Sequence, residues 1–217
     1  MMNLICSWSG GKDSCFALMQ MPTKPKVLLN TLNERGDRSR SHGLSKEILM
    51  AQARAIGCDI AFIETTWDEY TAKYIHQLQQ LTKQYNLTDA VFGDIDLESH
   101  RAWEEMVCNE ANIQGHLPLW QQDRKELVFK MIDSGLKAII VSCNAQLGSC
   151  FLGKTLNEQT LLELERKGVD VCGENGEFHT LVLDCPLFQQ TINVEPVKLL
   201  SHNNYHFLEL QLLDGYN

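Results

Sequence analysis

The chain has 217 residues, 44% hydrophobic and 22% charged, an ordinary composition for one domain or for one large and one small lobe. Acidic residues outnumber basic ones 28 to 19, and the formal net charge of −9 argues against a broad nucleic-acid-binding face while leaving room for a local basic pocket. No apolar stretch reaches membrane-spanning length, no secretory leader is apparent, and the eight cysteines are scattered without a Cys-x-x-Cys pair, so reduced thiols and a cytoplasmic protein are expected and a zinc ribbon is not.

Strand-like and helix-like runs alternate along the chain. Leu4–Ser7 reads as a strand, Lys12–Gln20 as a helix and Val27–Leu32 as the next strand. Leu44–Ile56 has helical periodicity and stops at Gly57; Ile60–Glu64 is again strand-like. Asp68–Gln84 places Tyr70, Tyr74, Leu78 and Leu81 at helical spacing. Ala90–Phe92 is a short buried strand closed by Gly93, Leu97–Ala111 a helix, and Pro118-Leu119-Trp120 the end of a further buried strand. Glu126–Ser134 and Leu156–Lys167 are helical, Ala138–Cys143 an apolar strand. Leu181–Leu183, Ile192–Val194 and Phe207–Leu213 are short extended segments. Alternation of this kind predicts an α/β fold with a parallel sheet covered on both faces, here over residues 1–135, followed by a smaller mixed α+β lobe over 136–217.

The densest signal is Ser9-Gly10-Gly11-Lys12-Asp13-Ser14, between the first strand and the first helix. Glycines there let the backbone approach an anion, and the first-turn N–H groups have no helical partners. Lys12 adds a positive charge, Ser9 and Ser14 add hydroxyl donors. The spacing is not that of a Walker A loop.

Ligands in open α/β sheets bind beyond the carboxyl ends of the strands, so two more strand ends matter. Arg38-Ser39-Arg40-Ser41-His42-Gly43 offers two guanidinium groups and an imidazole suited to phosphate, or is simply a polar loop. After the fourth strand, Gly93-Asp94-Ile95 leads into a helix whose start carries Asp94, Asp96 and Glu98. These cap the helix, or one of them helps to hold Mg²⁺. Arg101 and Glu105, four apart on that helix, form a surface pair unless Arg101 reaches phosphate. Trp120 is read as a packing residue.

The second dense segment is Cys172-Gly173-Glu174-Asn175-Gly176-Glu177-Phe178-His179-Thr180. Its glycines indicate a tight irregular loop. Glu174 and Glu177 can position a cationic group, ammonium or Mg²⁺, or act as a general base; a purely structural loop is the alternative. Cys143 and Cys185 lie in apolar surroundings, which favours packing over sulfur chemistry, and Cys150 is the thiol least easily dismissed.

Taken together these segments resemble the diphthine–ammonia ligase family of ATP pyrophosphatases. The resemblance runs nearly end to end, through Ser9–Ser14, Ser41-His42-Gly43, Gly93-Asp94-Ile95 with Arg101 and Glu105, Pro118-Leu119-Trp120, Leu152-Gly153, and Cys172–Thr180 with Asp184 and Pro186. It implies a HUP-type sheet of five parallel strands in the order 3-2-1-4-5 with a C-terminal lobe facing the nucleotide. It also implies a reaction in which ATP adenylates the carboxylate of diphthine on elongation factor 2 and ammonia displaces AMP, with ATP and Mg²⁺ required.

On that reading Ser9, Gly10, Gly11, Lys12, Ser14, His42, Gly93, Asp94 and Arg101 bind nucleotide, and Asp13 binds Mg²⁺ or orients Lys12. Glu105, Gly173, Glu174, Gly176, Glu177, His179 and Thr180 face the acceptor, with Lys12, Asp13, Glu174 and Glu177 as the catalytic set. Asn175 stands where the family more often has glycine, which its tolerance of left-handed backbone would explain. Extra C-terminal domains occur in longer eukaryotic members, and this sequence resembles the compact forms. A different acceptor (a small acid, or tRNA) remains the alternative, tRNA being disfavoured by the acidic balance. A non-catalytic adenine-nucleotide sensor would have little use for Glu174, Glu177 and His179. Monomer and homo-oligomer are both compatible with the sequence.

Overall fold

A computed structural model describes residues 2–202 and 204–213. Five strands, β1 (Leu4–Ser7), β2 (Pro25–Leu32), β3 (Asp59–Glu64), β4 (Asp89–Val91) and β5 (Gln114–His116), form one sheet in the order β3-β2-β1-β4-β5, and every pairing in it is parallel. The pleat sends alternate residues to opposite faces. Leu4, Cys6, Leu28 and Leu32 pack with α1 (Lys12–Met19) and α2 (Lys46–Ile56), whereas Ile5, Val27, Leu29 and Ala90 pack with α3 (Tyr70–Tyr85) and α4 (Glu98–Ala111). Both faces are therefore covered, as a parallel sheet requires.

Beyond α5 (Arg124–Asp133), four strands make a separate antiparallel sheet: β6 (Lys137–Asn144), β7 (Phe178–Asp184), β8 (Val194–His202) and β9 (Tyr205–Leu212), in the order β7-β6-β9-β8. Helix α6 (Glu158–Arg166) packs Leu161 and Leu164 into the same core. That core is continuous with the first lobe: Leu4, Cys6 and Leu28 belong to one buried cluster with Ile140, Val182 and Leu210. Among the described residues no helix is long and apolar enough to cross a membrane.

Several boundaries differ from the sequence reading. Pro118-Leu119-Trp120 does not end a strand; β5 stops at His116 and these residues form a turn, with Gln121 at φ 58. Pro118 has no N–H to extend the ladder, while the turn still folds Leu119 fully into the core. Helix α2 starts at Lys46, capped by Ser45, whose hydroxyl accepts from the N–H of Ile48. The short segments expected near Ile192–Val194 and Phe207–Leu213 are a long hairpin. Its outer strand β8 escaped notice because it is an edge strand, exposed over most of its length and interrupted by Pro196.

Candidate active site

The strand order reverses beside β1, and the Ser9–Ser14 loop leaves β1 there. Much of the loop's fixation comes from the second lobe. The carbonyl of Gly10 accepts from the N–H of Val182 at 3.0 Å, and the N–H of Lys12 donates to Thr180 Oγ1 at 3.0 Å. Gln52, wholly buried on α2, donates through Nε2 to Gly10 O (3.0 Å) and Val182 O (2.8 Å) and accepts from Trp8 Nε1 at 2.9 Å. Inside the loop the hydroxyls of Ser9 and Ser14 lie 3.0 Å apart, and Ser9 Oγ accepts from the N–H of Gly11 at 3.2 Å. Gly10 sits at φ +85, and a Cβ there would lie 2.7 Å from Leu44. Gly93 packs on the loop from the other side; a Cβ on it would come within 2.7 Å of Asp13 C and Ser14 N.

Lys12 is 3% exposed, and its ammonium donates to both carboxylate oxygens of Asp13, at 2.7 and 2.8 Å. Burial opposes its charge, but Asp13, with Cys172 and Glu174 behind it, holds the lysine above its ordinary pKa. Burial likewise pushes Asp13 up, against the pull of Lys12. Beside them the rings of His42 and His179 lie 4.6 Å apart. Burial keeps both imidazoles neutral, with His179 lowered to about 4 and His42 further depressed by His179 and Lys12.

These groups line a cleft of about 360 Å³ between the lobes, within the range of small-molecule sites. Ser9, Lys12, Asp13, Ser14, His42, Gly93 and Asp94 reach it from the first lobe. Gly173, Glu174, Gly176, His179 and Thr180 reach it from the second; Gly10 and Gly11, within the loop, do not line the cleft and pack instead against Leu44 and Gln52 and against His42 and Thr180. Burial and the neighbouring charge of Asp13 raise Glu174 to about 8.

Three residues named from the sequence stand elsewhere. Arg101 Nε pairs with Glu105 Oε1 at 2.8 Å, over the Trp120 ring, and neither lines the cleft. Glu177 turns back to accept from the N–H and Nδ2 of Asn175. Asn175 does not adopt left-handed backbone; its side chain accepts from Arg124 instead. The two guanidinium groups of the second loop also have structural partners: Arg38 pairs with Glu209, and Arg40 donates to the carbonyl of Thr65 and stacks 4.3 Å over Trp67.

Four residues not singled out by motif or spacing bear on the cleft: His100 and Asn30 line it, and Arg124 and Glu104 stand outside its lining. Arg124 joins the lobes, pairing with Asp96 at 2.7 Å and Asp170 at 2.5 Å; its sequence signal, the first residue after an Asp N-cap, looked like ordinary helix-start polarity. His100 donates through Nδ1 to the Asp94 carboxylate, 2.6 Å from Oδ1. Glu104 is 2% exposed on the apolar stripe of α4, where a carboxyl among Val107, Cys108 and Ala111 was the available clue. Asn30 Oδ1, on the cleft wall, is buried without a hydrogen-bond partner among the described residues.

Asp13, Cys172 and Glu174 bring ligand atoms within 4.8 Å of one another. A carboxylate suits a hard cation such as Mg²⁺, whereas burial keeps the Cys172 thiol protonated and unsuited to it. Asp96 is held by Arg124 and Asp94 by His100, which leaves Asp13 as the carboxylate beside the phosphate loop.

Sheet order, switch-point loop and two-lobed cleft define a HUP-type α/β protein with a nucleotide-type site. The chain belongs to the diphthamide synthase family: the model of the diphthamide synthase N-terminal domain matches residues 2–115 and that of the C-terminal domain residues 123–212. Relatives include proteins named diphthine–ammonia ligase from Mus musculus (33% identical, 90% of this chain, 84% of that one) and Homo sapiens (30%, 95% and 91%). A Schizosaccharomyces pombe protein of the same name is 32% identical over 90% of this chain but only 36% of its own length, so longer and compact forms both occur among eukaryotes.

Proposed function

We propose that the chain is an ATP-dependent carboxylate–ammonia ligase of the cytoplasm that acts on diphthine in elongation factor 2, consuming ATP and ammonium and releasing AMP and pyrophosphate. One observation carries the reading: the phosphate loop of one lobe and the acidic loop of the other are joined by Lys12 N–H to Thr180 Oγ1 and face a single cleft. Residues 1–135 then bind nucleotide and residues 136–217 present the acceptor.

A carboxylate does not expel oxide at neutral pH, so amide formation needs a better leaving group, and AMP is one. Lys12 and the backbone of Gly10 and Gly11 bind the β,γ-phosphates and stabilise charge on the departing pyrophosphate, helped by the hydroxyls of Ser9 and Ser14. Asp13 keeps Lys12 charged and in place and is the residue that would hold Mg²⁺, which when bound offsets negative charge on the phosphate oxygens. Neutral His42 and His179 donate hydrogen bonds without adding charge. Glu174 holds the ammonium, whose positive charge favours the ionised carboxylate. Glu177 shapes the loop that carries Glu174. Arg101 and Glu105, paired outside the cleft, take no part.

The test incubates the protein with Mg-ATP, ammonium and elongation factor 2 bearing diphthine, following nucleotide products and the mass of the acceptor. AMP together with the small mass decrease of hydroxyl replaced by amine is expected. ADP in place of AMP would overturn the reading, and AMP without a mass change would move it to another acceptor.

A further inference from the structure

Ammonia attacks a carbonyl as the neutral molecule, yet at neutral pH it is nearly all ammonium. Converting an acyl adenylate and ammonium into an amide and AMP therefore releases two protons, one before attack and one as the tetrahedral adduct collapses. The cleft holds a group suited to taking the first. His100 lies in the first turn of α4 and lines the cleft, with Nδ1 2.6 Å from Asp94 Oδ1 and its side chain 56% exposed.

Behind Asp94 stands Glu104, 2% exposed, and the two carboxyl groups influence each other's protonation. Two carboxyl groups that interact strongly do not both ionise, and the proton stays on the one whose charged form is disfavoured more. Burial and the Asp94 charge place it on Glu104, raised to about 10, whose Oε2 has no donor among the described residues to support an ionised form. Glu104 is thus a neutral acid beside Asp94, able to donate to it. Asp94 stays a carboxylate, its pKa held down, despite burial, by His100 and Glu104. An Nδ1–H on His100 directed at Asp94 leaves Nε2 as the basic nitrogen. The charged groups facing this imidazole are Asp94 from the loop before α4 and Glu174 from the opposite lobe. The Asp94 hydrogen bond raises its pKa, and burial only partly offsets this.

We propose that His100 is the base that removes a proton from the bound ammonium and so frees ammonia to attack the acyl adenylate, with Asp94 positioning the ring and Glu104 positioning Asp94. This rests on the ligase reading above. The nitrogen lone pair freed by proton transfer to Nε2 forms the C–N bond, the C–O bond to AMP breaks with its electron pair leaving on the phosphate oxygen, and the second proton passes to water. The exposed edge of His100 returns its own proton to solvent. Glu174 supplies attraction for the cation, and His100 the proton acceptor.

Hydroxylamine, uncharged at neutral pH, needs no deprotonation before attack, and it separates the base from the rest of the site. With diphthine-bearing elongation factor 2 and Mg-ATP, His100→Asn is expected to slow ammonium-dependent amide formation about a hundredfold while slowing hydroxamate formation from hydroxylamine by no more than about threefold. Asp94→Asn, which removes the charge that raises the imidazole pKa, should move the rising limb of the ammonium pH profile to lower pH. Glu104→Leu should fall at least about tenfold below Glu104→Gln, which keeps a donor toward Asp94. Equal loss with both nucleophiles, or an unchanged ammonium rate in His100→Asn, would overturn the proposal. Wild-type protein that makes no AMP with this acceptor would overturn the ligase reading, and the proposal with it.

Discussion

The two walls of the cleft are built differently. On the proposed nucleotide side the Ser9–Ser14 loop is fixed by backbone geometry and by buried partners, Gln52, Val182 and Thr180. On the acceptor side the Cys172–Thr180 loop and the Asp94–His100 turn are fixed by charged side chains that water still reaches, chiefly Arg124 on Asp96 and Asp170. A buried hydrogen-bonded loop resists change because an orphaned partner pays the full desolvation penalty, whereas a half-exposed ion pair is weaker and screened. The nucleotide wall is therefore expected to be rigid and the acceptor wall adjustable.

The largest effect should come from breaking the rigid wall at its charge. Lys12→Ala removes the ammonium from the phosphate cradle and should lower AMP formation by about 10²–10³-fold, measured as initial rate at saturating ATP. Retention of near-normal turnover would contradict the role given to Lys12. Next is shape: Gly93→Ala drives a Cβ to 2.7 Å from backbone atoms of Asp13 and Ser14, and backbone cannot move aside as a flexible side chain can. A destabilisation of about 1–3 kcal/mol by denaturant titration, with weakened ATP binding, is expected.

Gln52→Leu removes the acceptor of Trp8 Nε1 and the donor shared by Gly10 O and Val182 O. It should lower stability by about 1–3 kcal/mol in the same titration. On the adjustable wall, Arg124→Ala should raise the apparent KM for the acceptor by roughly tenfold while stability changes by less than about 1 kcal/mol.

The smallest effect concerns pH. The raised pKa of His100 means that its pair with Asp94 adds stability below the ordinary imidazole value of 6.5 and loses it as pH rises through the folded-state value. Asp94, lowered, adds stability above its ordinary 3.8 and loses it on acidification. The melting temperature of the wild type should therefore exceed that of His100→Asn on the mildly acidic side and converge with it in alkali. A constant gap across that range would show that the pair is not ionic.

The same contrast governs what could be read from the sequence. The Ser9–Ser14 loop was legible as a strand-to-helix turn because its residues are contiguous and its glycines' backbone requirement is local; its role toward phosphate is the proposed one. The parallel sheet was legible because alternate residues such as Leu4 and Ile5 serve opposite faces of one apolar strand. The acceptor wall was only half legible. Glu174 and His179 stood out in a dense segment, but Glu105 and Arg101 drew notice by spacing while the neighbouring His100 lines the cleft and Glu104 is buried on the same helix. Helical spacing alone does not say which face of α4 is inward; the apolar positions Val107, Cys108 and Ala111 do, and Glu104 lies on their side. Arg124 was illegible because its partners, Asp96 and Asp170, are 28 and 46 residues away.

In the proposed reaction the acceptor carboxylate itself attacks ATP at the α-phosphate. This step is tested most directly by enriching that carboxylate in heavy oxygen, running the reaction with unlabelled ATP and ammonium, and locating the label by mass spectrometry. Attack at the α-phosphate followed by C–O cleavage puts one heavy oxygen into AMP, and that is the expected result. Label in pyrophosphate or inorganic phosphate, or AMP formed without label, would rule out attack by the carboxylate at the α-phosphate.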